Sequence, residues 1–466
     1  MMWNFKTFCD NPAIIDESGS VTTYSGLQSA CDTLVSHMET RSLIFILCTN
    51  EKGSLLGYTA CVNNKIVPVM LDATLNEELL LSLIECYKPD YIWLPESMSV
   101  RFPDYPVMLT IWGFSLIKTP YNNVYPLNEN LALLLTTSGS TGSPKLVRQS
   151  YNNIKSNTES IVTYLKLDGT ERPITTMPMS YTYGLSIINT HLWVGSPIIL
   201  TQKTLMQREF WQQFKEYGAT SFGGVPYIYE MLEKLRFFRM ELPKLKTMTQ
   251  AGGKLSPELH RKFAEYAQAN GKKFFVMYGQ TEATARMSYL PHEKALEKYG
   301  SMGIAIPGGE FNLIDTDGNT IKTPDTVGEL VYKGVNVTLG YADSGEDLIK
   351  GDEREGILVT GDMAKSDKDG YYYIVGRKKR FLKIYGNRVN LDETERMLQK
   401  HFSEATFACG GTDDEMIVYT TTGTLSGSIQ AFLSEKMSIN RSAFKIVTVE
   451  EIPRNEAGKI LYEKLR

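Results

Sequence analysis

Residues 136–145 read TTSGSTGSPK. Two glycines, a run of hydroxyl side chains, a proline and a lysine fall within one short stretch. Such a segment is too flexible and too polar for a core. It follows the apolar run LALLL at 131–135, as a loop at the end of a buried strand should. Glycines let successive backbone N–H groups converge on an anion, and hydroxyls and a lysine add donors. The Walker A pattern GxxxxGK[ST] does not fit: Lys145 follows Pro144, and Leu146 stands at the Ser/Thr position. Composition alone allows a phosphate cradle and a plain surface loop alike.

Outward from this loop, short β-type runs alternate with helical patterns. SLIFILC (42–48), KIVPVML (65–71), YIWL (91–94) and PVML (106–109) read as buried strands, and NEELLLSLIECYK (76–88) has helical spacing of apolar residues. SPIILT (196–201), FWQQFKEYG (210–218) and PELHRKFAEYAQANG (257–271) continue the alternation. The last of these has Ser256 as N-cap, Pro257 at the first helical position and Gly271 as its stop. This pattern predicts α/β layers around a largely parallel sheet. After about residue 300 the texture changes to strand-like pieces divided by DG and GN turns. A helix (391–402), a strand (416–422), a helix (428–437) and a strand (445–452) close the chain. The predicted class is therefore multi-domain α/β. A large N-terminal region of α/β layers carries a small β-rich part, and a small α+β domain follows. The basic turn GRKKR (376–380) reads as the hinge.

The bulk numbers exclude several classes. The chain has 466 residues, with 49 basic against 53 acidic side chains and a net charge of −4, so no basic excess points to nucleic acid. Six scattered cysteines form no CxxC pair, which argues against a disulfide framework and a thiolate metal site. The first residues, MMWNFKTFCDNPAIIDESG, lack the basic-then-apolar pattern of a signal peptide. No apolar run approaches the roughly 20 residues of a membrane-spanning helix. The expectation is a cytoplasmic protein with no membrane or nucleic-acid partner.

Further motifs fall in order along the chain: TYSGL (23–27), VPVMLD (67–72), MPMSYTYGLS (177–186), AGGKLSP (251–257), YGQTEA (278–283), GELVYKGVNVTLGY (328–341), TGDMAKSDKDGYYYIVGRKKRFLKIYG (360–386) and IPRNEAGKI (452–460). With TTSGSTGSPK, this set resembles the adenylate-forming (ANL) superfamily, which holds acyl- and aryl-CoA synthetases, adenylation domains of nonribosomal peptide synthetases and beetle luciferases. The resemblance covers nearly the whole chain. It implies a reaction in two halves. A carboxylate attacks the α-phosphorus of ATP, giving an acyl-adenylate and pyrophosphate. A thiol then displaces AMP. Both halves gather negative charge, so cations and N–H donors aimed at phosphate are the main requirement.

The resemblance also implies roles. Thr137, Ser138, Gly139, Ser140, Thr141, Gly142 and Lys145 would enclose the β- and γ-phosphates. Thr281 would meet the α-phosphate, and Glu282 would hold Mg²⁺. Tyr278, followed by Gly279 and Gln280, would stack on adenine beside the narrow loop of Ala251, Gly252 and Gly253. Asp362 would accept the ribose hydroxyls, with Arg377 supporting from the other side. Lys459 would be the catalytic cation that neutralises charge between carboxylate and α-phosphate. Lys379 aligns with the family's hinge residue, and Lys383 and Gly386 with the face that meets the thiol. The implied domains are 1–376 and a mobile lid of 381–466, joined at 377–380.

Three positions depart from the family pattern. Tyr181 replaces a customary histidine, Leu146 a customary glycine, and NNK at 63–65 a small-residue turn. Tyr181, Gly184 and Phe222, with Tyr183 and Tyr227, could line an acyl pocket or simply pack a core. Adenylation domains for α-amino acids usually carry an Asp in this region to pair with the ammonium; residues 177–189 contain no acid, so the resemblance argues against an ordinary α-amino acid substrate. The leading expectation is a carboxylic acid ligase that uses ATP and Mg²⁺ and passes a small acid to CoA. The alternative is an adenylation enzyme that loads an amino or aryl acid onto the phosphopantetheine of a separate carrier protein. A nucleotide sensor and a luciferase-like oxygenase are more distant alternatives.

Overall fold

The computed structural model describes residues 2–136, 145–385, 387–437, 439–454 and 460–465. The chain forms two compact units. The first comprises Met1–Glu310 with Tyr332–Leu358, and the second Phe311–Val331 with Val359–Arg466.

The first unit is organised around an eight-stranded sheet. Its order is Gly340–Ala342, Leu146–Ser150, Leu131–Thr136, Val67–Asp72, Leu43–Cys48, Tyr91–Pro95, Phe114–Lys118 and Val107–Ile111. The four strands from Leu131–Thr136 to Tyr91–Pro95 are parallel. Leu43–Cys48 is buried at all six positions, as expected where both faces of a parallel strand are covered. Helix Lys52–Asn63, buried at every position after Lys52, and the amphipathic helix Glu77–Tyr87 connect these strands. Asn76 caps the latter through Glu78 and Leu79 N–H groups, a contact worth about 1 kcal/mol.

One expectation is corrected at this sheet. The run at 106–109 is not a buried strand. It belongs to Val107–Ile111, the outermost strand, and Val107 and Met108 are exposed. Its apolar run is too short to distinguish an edge from a centre. Likewise SPIILT contributes only Ile198–Ile199, which pairs with Pro12–Ile15.

A second sheet has the order Ser221–Gly224, Thr247–Gln250, Lys273–Tyr278, Ser288–Tyr289 and Ile304–Ala305. Its first three strands are parallel. The intervening helix is Pro257–Ala269; Ser256 caps it by accepting from Leu259 N–H, as the sequence predicts.

A further sheet has the order Gly309–Ile314, Gly328–Gly334, Ile357–Ser366 and Tyr372–Arg377. A hairpin of Phe381–Ile384 and Asn387–Asn390 follows. A three-stranded sheet of Phe407–Thr412, Glu415–Thr420 and Phe444–Thr448 packs with helices Leu391–His401 and Ser426–Met437 around one apolar cluster. Among the described residues no helix is long and apolar enough to cross a membrane.

Candidate active site

Parallel register gathers the first group of motif residues. Gly224 pairs with Gln250, and Gln250 with Val276, so three strands end at one edge of the sheet. Loops beyond the carboxyl ends of parallel strands are the usual ligand-binding edge of such a sheet. Here they are the loop 251–253 and the turn from Tyr278 to Ala283. Gln250 holds the first in shape by donating to the carbonyls of Ala251 (3.2 Å) and Gly253 (2.9 Å). Gly252 has φ +81°, and a Cβ there would lie 2.6 Å from the Tyr181 hydroxyl. Tyr181 therefore sits directly against the loop.

Gly279 is forced by close approach. A Cβ at this position would meet the Ala285 carbonyl oxygen at 1.7 Å. Gln280 Nε2 donates to the Tyr278 hydroxyl at 3.1 Å. The turn that follows is held by residues from far along the chain. Thr338 donates twice and Arg354 once to the Glu282 carbonyl. Asn336 donates to the Ala283 carbonyl, Thr182 to that of Thr284, and Asn157 to that of Arg286. A segment carrying Thr281 and Glu282 is thus fixed by its backbone while its side chains remain to act.

The Glu282 carboxylate accepts a hydrogen bond from Tyr341 Oη at 2.8 Å through Oε1. Arg354 lies 4.6 Å over the Tyr341 ring, and Lys145 Nζ lies 3.8 Å over it. Lys145 also reaches Asp343 Oδ1 at 3.8 Å. Strand pairing explains the meeting. Leu146 pairs with Ala342 and Val147 with Tyr341, which brings Tyr341 beside Lys145. Burial first, and the Glu282 charge second, push the Tyr341 phenol up to about 12, so it is a hydrogen-bond donor at neutral pH. Lysine, tyrosine and carboxylate from three separate motifs form one cluster. Nothing in the sequence alone marks Tyr341 or Arg354 as a site residue. Tyr341 closes the GELVYKGVNVTLGY motif, whereas Arg354 belongs to no motif quoted above.

The suggested pocket residues divide. Tyr181 precedes the helix Thr182–Trp193, and burial raises its phenol to about 12. Gly184 is a packing glycine: a Cβ would meet the Pro178 carbonyl oxygen at 2.3 Å. Phe222 packs against Phe214, Tyr229 and Phe237 and also borders a small cavity. Tyr183 is buried and donates to the Thr249 carbonyl at 2.9 Å. Tyr227 is exposed.

Within the second unit, Asp362 and Arg377 face each other across paired strands. Arg377 Nε lies 3.7 Å from Asp362 Oδ1, with Asp362 buried and Arg377 exposed. Lys378–Arg380 forms the turn before Phe381. Lys379 is exposed on it, and Lys383 is exposed on the next strand. Arg380 bonds Asp392 at 2.8 Å and Glu395 at 2.5 Å and stacks 3.9 Å over Tyr462. Arg454 bridges Ile460, so these residues flank the segment bearing Lys459. Thr137, Ser138, Gly139, Ser140, Thr141, Gly142, Gly386 and Lys459 lie outside the described residues.

Residues 2–342 match the family described as AMP-binding enzyme, and the chain belongs to that family. Curated relatives include peroxisomal OPC-8:0-CoA ligase 1 of Arabidopsis thaliana, 31% identical over 353 residues, covering 72% of this chain and 64% of that protein. Oxalate–CoA ligase of the same plant is 28% identical over 343 residues, covering 71% and 66%. The matches thus span slightly less than two thirds of these relatives' own lengths. The fold is shared with o-succinylbenzoate coenzyme A synthetase from Bacillus subtilis, solved with AMP, at a TM-score of 0.79 and 20% identity over 99% of this chain and 96% of that one. ATP-bound MatB from Rhodopseudomonas palustris is similar at a TM-score of 0.76 and 20% identity, covering 99% and 97%.

Proposed function

We propose that this protein activates a carboxylic acid with ATP and transfers the acyl group to the thiol of CoA. The carrying observation is the cluster of Lys145, Tyr341 and Glu282, a cation and an oriented carboxylate at the ends of motifs suited to phosphate. In the first half, a carboxylate oxygen bonds to the α-phosphorus and pyrophosphate leaves. In the second, the CoA sulfur bonds to the acyl carbon, AMP leaves and the thiol proton passes to solvent. Family membership and the CoA-ligase names of curated relatives support this reading.

Lys145 would offset phosphate charge during the first half. Thr281 would face the α-phosphate, and Lys459 would supply the cation between the two reacting groups. Asp362 and Arg377 would hold ribose, Tyr278 and the loop 251–253 adenine. Residues 377–380 would be the hinge, with Lys383 and Gly386 serving the thiol step.

The donor set fits Mg²⁺. Glu282 Oε1 is engaged by Tyr341, and among the described residues Oε2 has no partner. No group of three or more His, Cys, Asp or Glu side chains among them could hold a metal unaided. One carboxylate suits an ion that keeps its waters and takes phosphate oxygens. When bound, Mg²⁺ would neutralise phosphate charge. Glu282 is oriented for that by Tyr341.

A separate carrier protein is the second candidate acceptor, because CoA and a carrier offer the same pantetheine thiol. The free cysteines among the described residues, four of them buried, favour a reducing compartment such as the cytoplasm. A panel of acids in ATP–pyrophosphate exchange, followed by CoA or carrier addition, tests the reading. Acid-dependent exchange followed by acyl-CoA is expected. Exchange with no acid would refute it.

A further inference from the structure

Arg286 lies four residues beyond Glu282, and its side chain is buried at 2% exposure. Nε donates to Ser186 Oγ at 3.2 Å. Nη1 donates to Tyr164 Oη at 3.2 Å and Met277 Sδ at 3.3 Å. The guanidinium stacks 5.2 Å over the Tyr183 ring. Every one of these partners is neutral. Among the described residues no carboxylate pairs with Arg286, and its Nη2 group donates to none of them. A buried cation without a counter-charge is strongly unfavourable, so buried charges are paired.

The guanidinium borders a cavity of about 20 Å³ that Phe222, Gly223, Thr249, Ile187 and His191 also line. That is room for one small polar group. His191 is 4% exposed. Its Nδ1 lies 2.7 Å from the Ile187 carbonyl and so carries the proton. Its Nε2 is buried and has no hydrogen-bond partner among the described residues. A cation and an acceptor, each without a counterpart among the described residues, thus line one small space. A chain of side-chain contacts runs from Arg286 to the loop 251–253 through two tyrosines. Tyr181 lies against Gly252, Tyr183 packs edge-on to Tyr181 at 6.5 Å, and Arg286 lies over Tyr183.

We propose that Arg286 and His191 hold the second carboxyl group of a short dicarboxylic acid whose first carboxyl is activated. The assignment rests on the acid-activating reading above and names its substrate class. One carboxyl oxygen accepts from Arg286 Nη2. The other shares a proton with His191 Nε2. Without ligand the imidazole is held neutral, its pKa lowered to about 4 by burial first, with the Arg286 charge adding to the effect. Pairing a carboxylate with its bare lone pair requires one proton from solvent, on the ring or on the carboxyl. A long alkyl tail would leave both polar groups unpaired, and a site built to bond a polar group rejects analogues lacking it.

Pyrophosphate exchange with four- to six-carbon dicarboxylates and equal-length monocarboxylates tests the proposal. Wild type should favour the dicarboxylate by on the order of 10²–10⁴ in kcat/KM. Arg286→Met should remove that preference while retaining use of the monocarboxylate, and Arg286→Lys should restore part of it. If Arg286→Met does not fold, calorimetric titration of wild type with the preferred dicarboxylate, in buffers of different ionisation enthalpy, should show uptake of about one proton. Equal use of both acid classes by wild type, or binding without proton uptake, would overturn the assignment and leave the acid-activating reading intact. Exchange with no acid of either class would overturn both.

Discussion

Tyr341 donates its hydroxyl hydrogen to Glu282 Oε1 across 2.8 Å. The two residues stand in separate motifs, and only strand pairing and the clamped turn bring them together. The bond fixes one carboxylate oxygen, and among the described residues the other has no partner.

Tyr341→Phe keeps the ring on which Lys145 rests but removes this bond. A hydrogen bond to a charged group contributes about 1.5–3 kcal/mol, so adenylation should fall about tenfold or more. The loss should be greatest at limiting Mg²⁺. A magnesium titration of pyrophosphate exchange checks it, and an unchanged midpoint would mean that Tyr341 does not orient Glu282.

Gly279→Ala places a methyl group 1.7 Å from the Ala285 carbonyl oxygen, so the turn must shift. Gly184→Ala meets the Pro178 carbonyl oxygen at 2.3 Å. Overpacking of this kind destabilises by about 1–3 kcal/mol. Gly279→Ala should abolish exchange at temperatures where the fold survives. Gly184→Ala should lower the melting temperature without switching acid preference. Thermal melts and the acid panel separate the two effects.

Two buried histidines set an acid limit. His191 and His260 are each pushed down to about 4, chiefly by burial. His260 Nδ1 accepts from Gly300 N–H at 3.0 Å, a bond that protonation there would oppose. Folded-state values below the unfolded value mean that the unfolded chain binds more protons in acid. Stability is therefore full above about pH 6.5 and falls as pH drops toward 4, by up to about 3 kcal/mol per histidine. Urea unfolding at pH 7.5 and pH 5 should show the loss, and His260→Leu should reduce it. Equal midpoints for wild type at both pH values would contradict this.

The sequence showed the fold well where periodicity was strong. Ser256 caps the helix whose start it marks. It misjudged 106–109 because four apolar residues do not reveal whether a strand has a neighbour on both sides. Tyr341 was visible only as the end of a motif, since its meeting with Lys145 depends on the pairing of Val147 with Tyr341. Arg286 was invisible for a different reason. An arginine close to a loop reads as a surface charge until burial and the absence of a described carboxylate partner are known.

Arg380 ties the basic turn to the domain that follows it. It bridges Asp392 and Glu395 beneath Tyr462, and its side chain is mostly buried. Removing it would leave two carboxylates without their cation. Breaking such a pair costs about 3–5 kcal/mol. Arg380→Ala should therefore increase hydrogen exchange through residues 391–401 and 407–420. Exchange rates equal to wild type would show that the cluster does not support this domain.

In the proposed reaction the acid displaces pyrophosphate from the α-phosphorus of ATP. The most direct measurement uses the best acid from the exchange panel, with both carboxylate oxygens replaced by ¹⁸O, in complete turnover with ATP, Mg²⁺ and CoA. One ¹⁸O is expected in the AMP product and none in pyrophosphate, because the bridging oxygen of the acyl-adenylate stays with phosphorus when sulfur attacks the acyl carbon. Label in orthophosphate, with ADP as the nucleotide product, would contradict it.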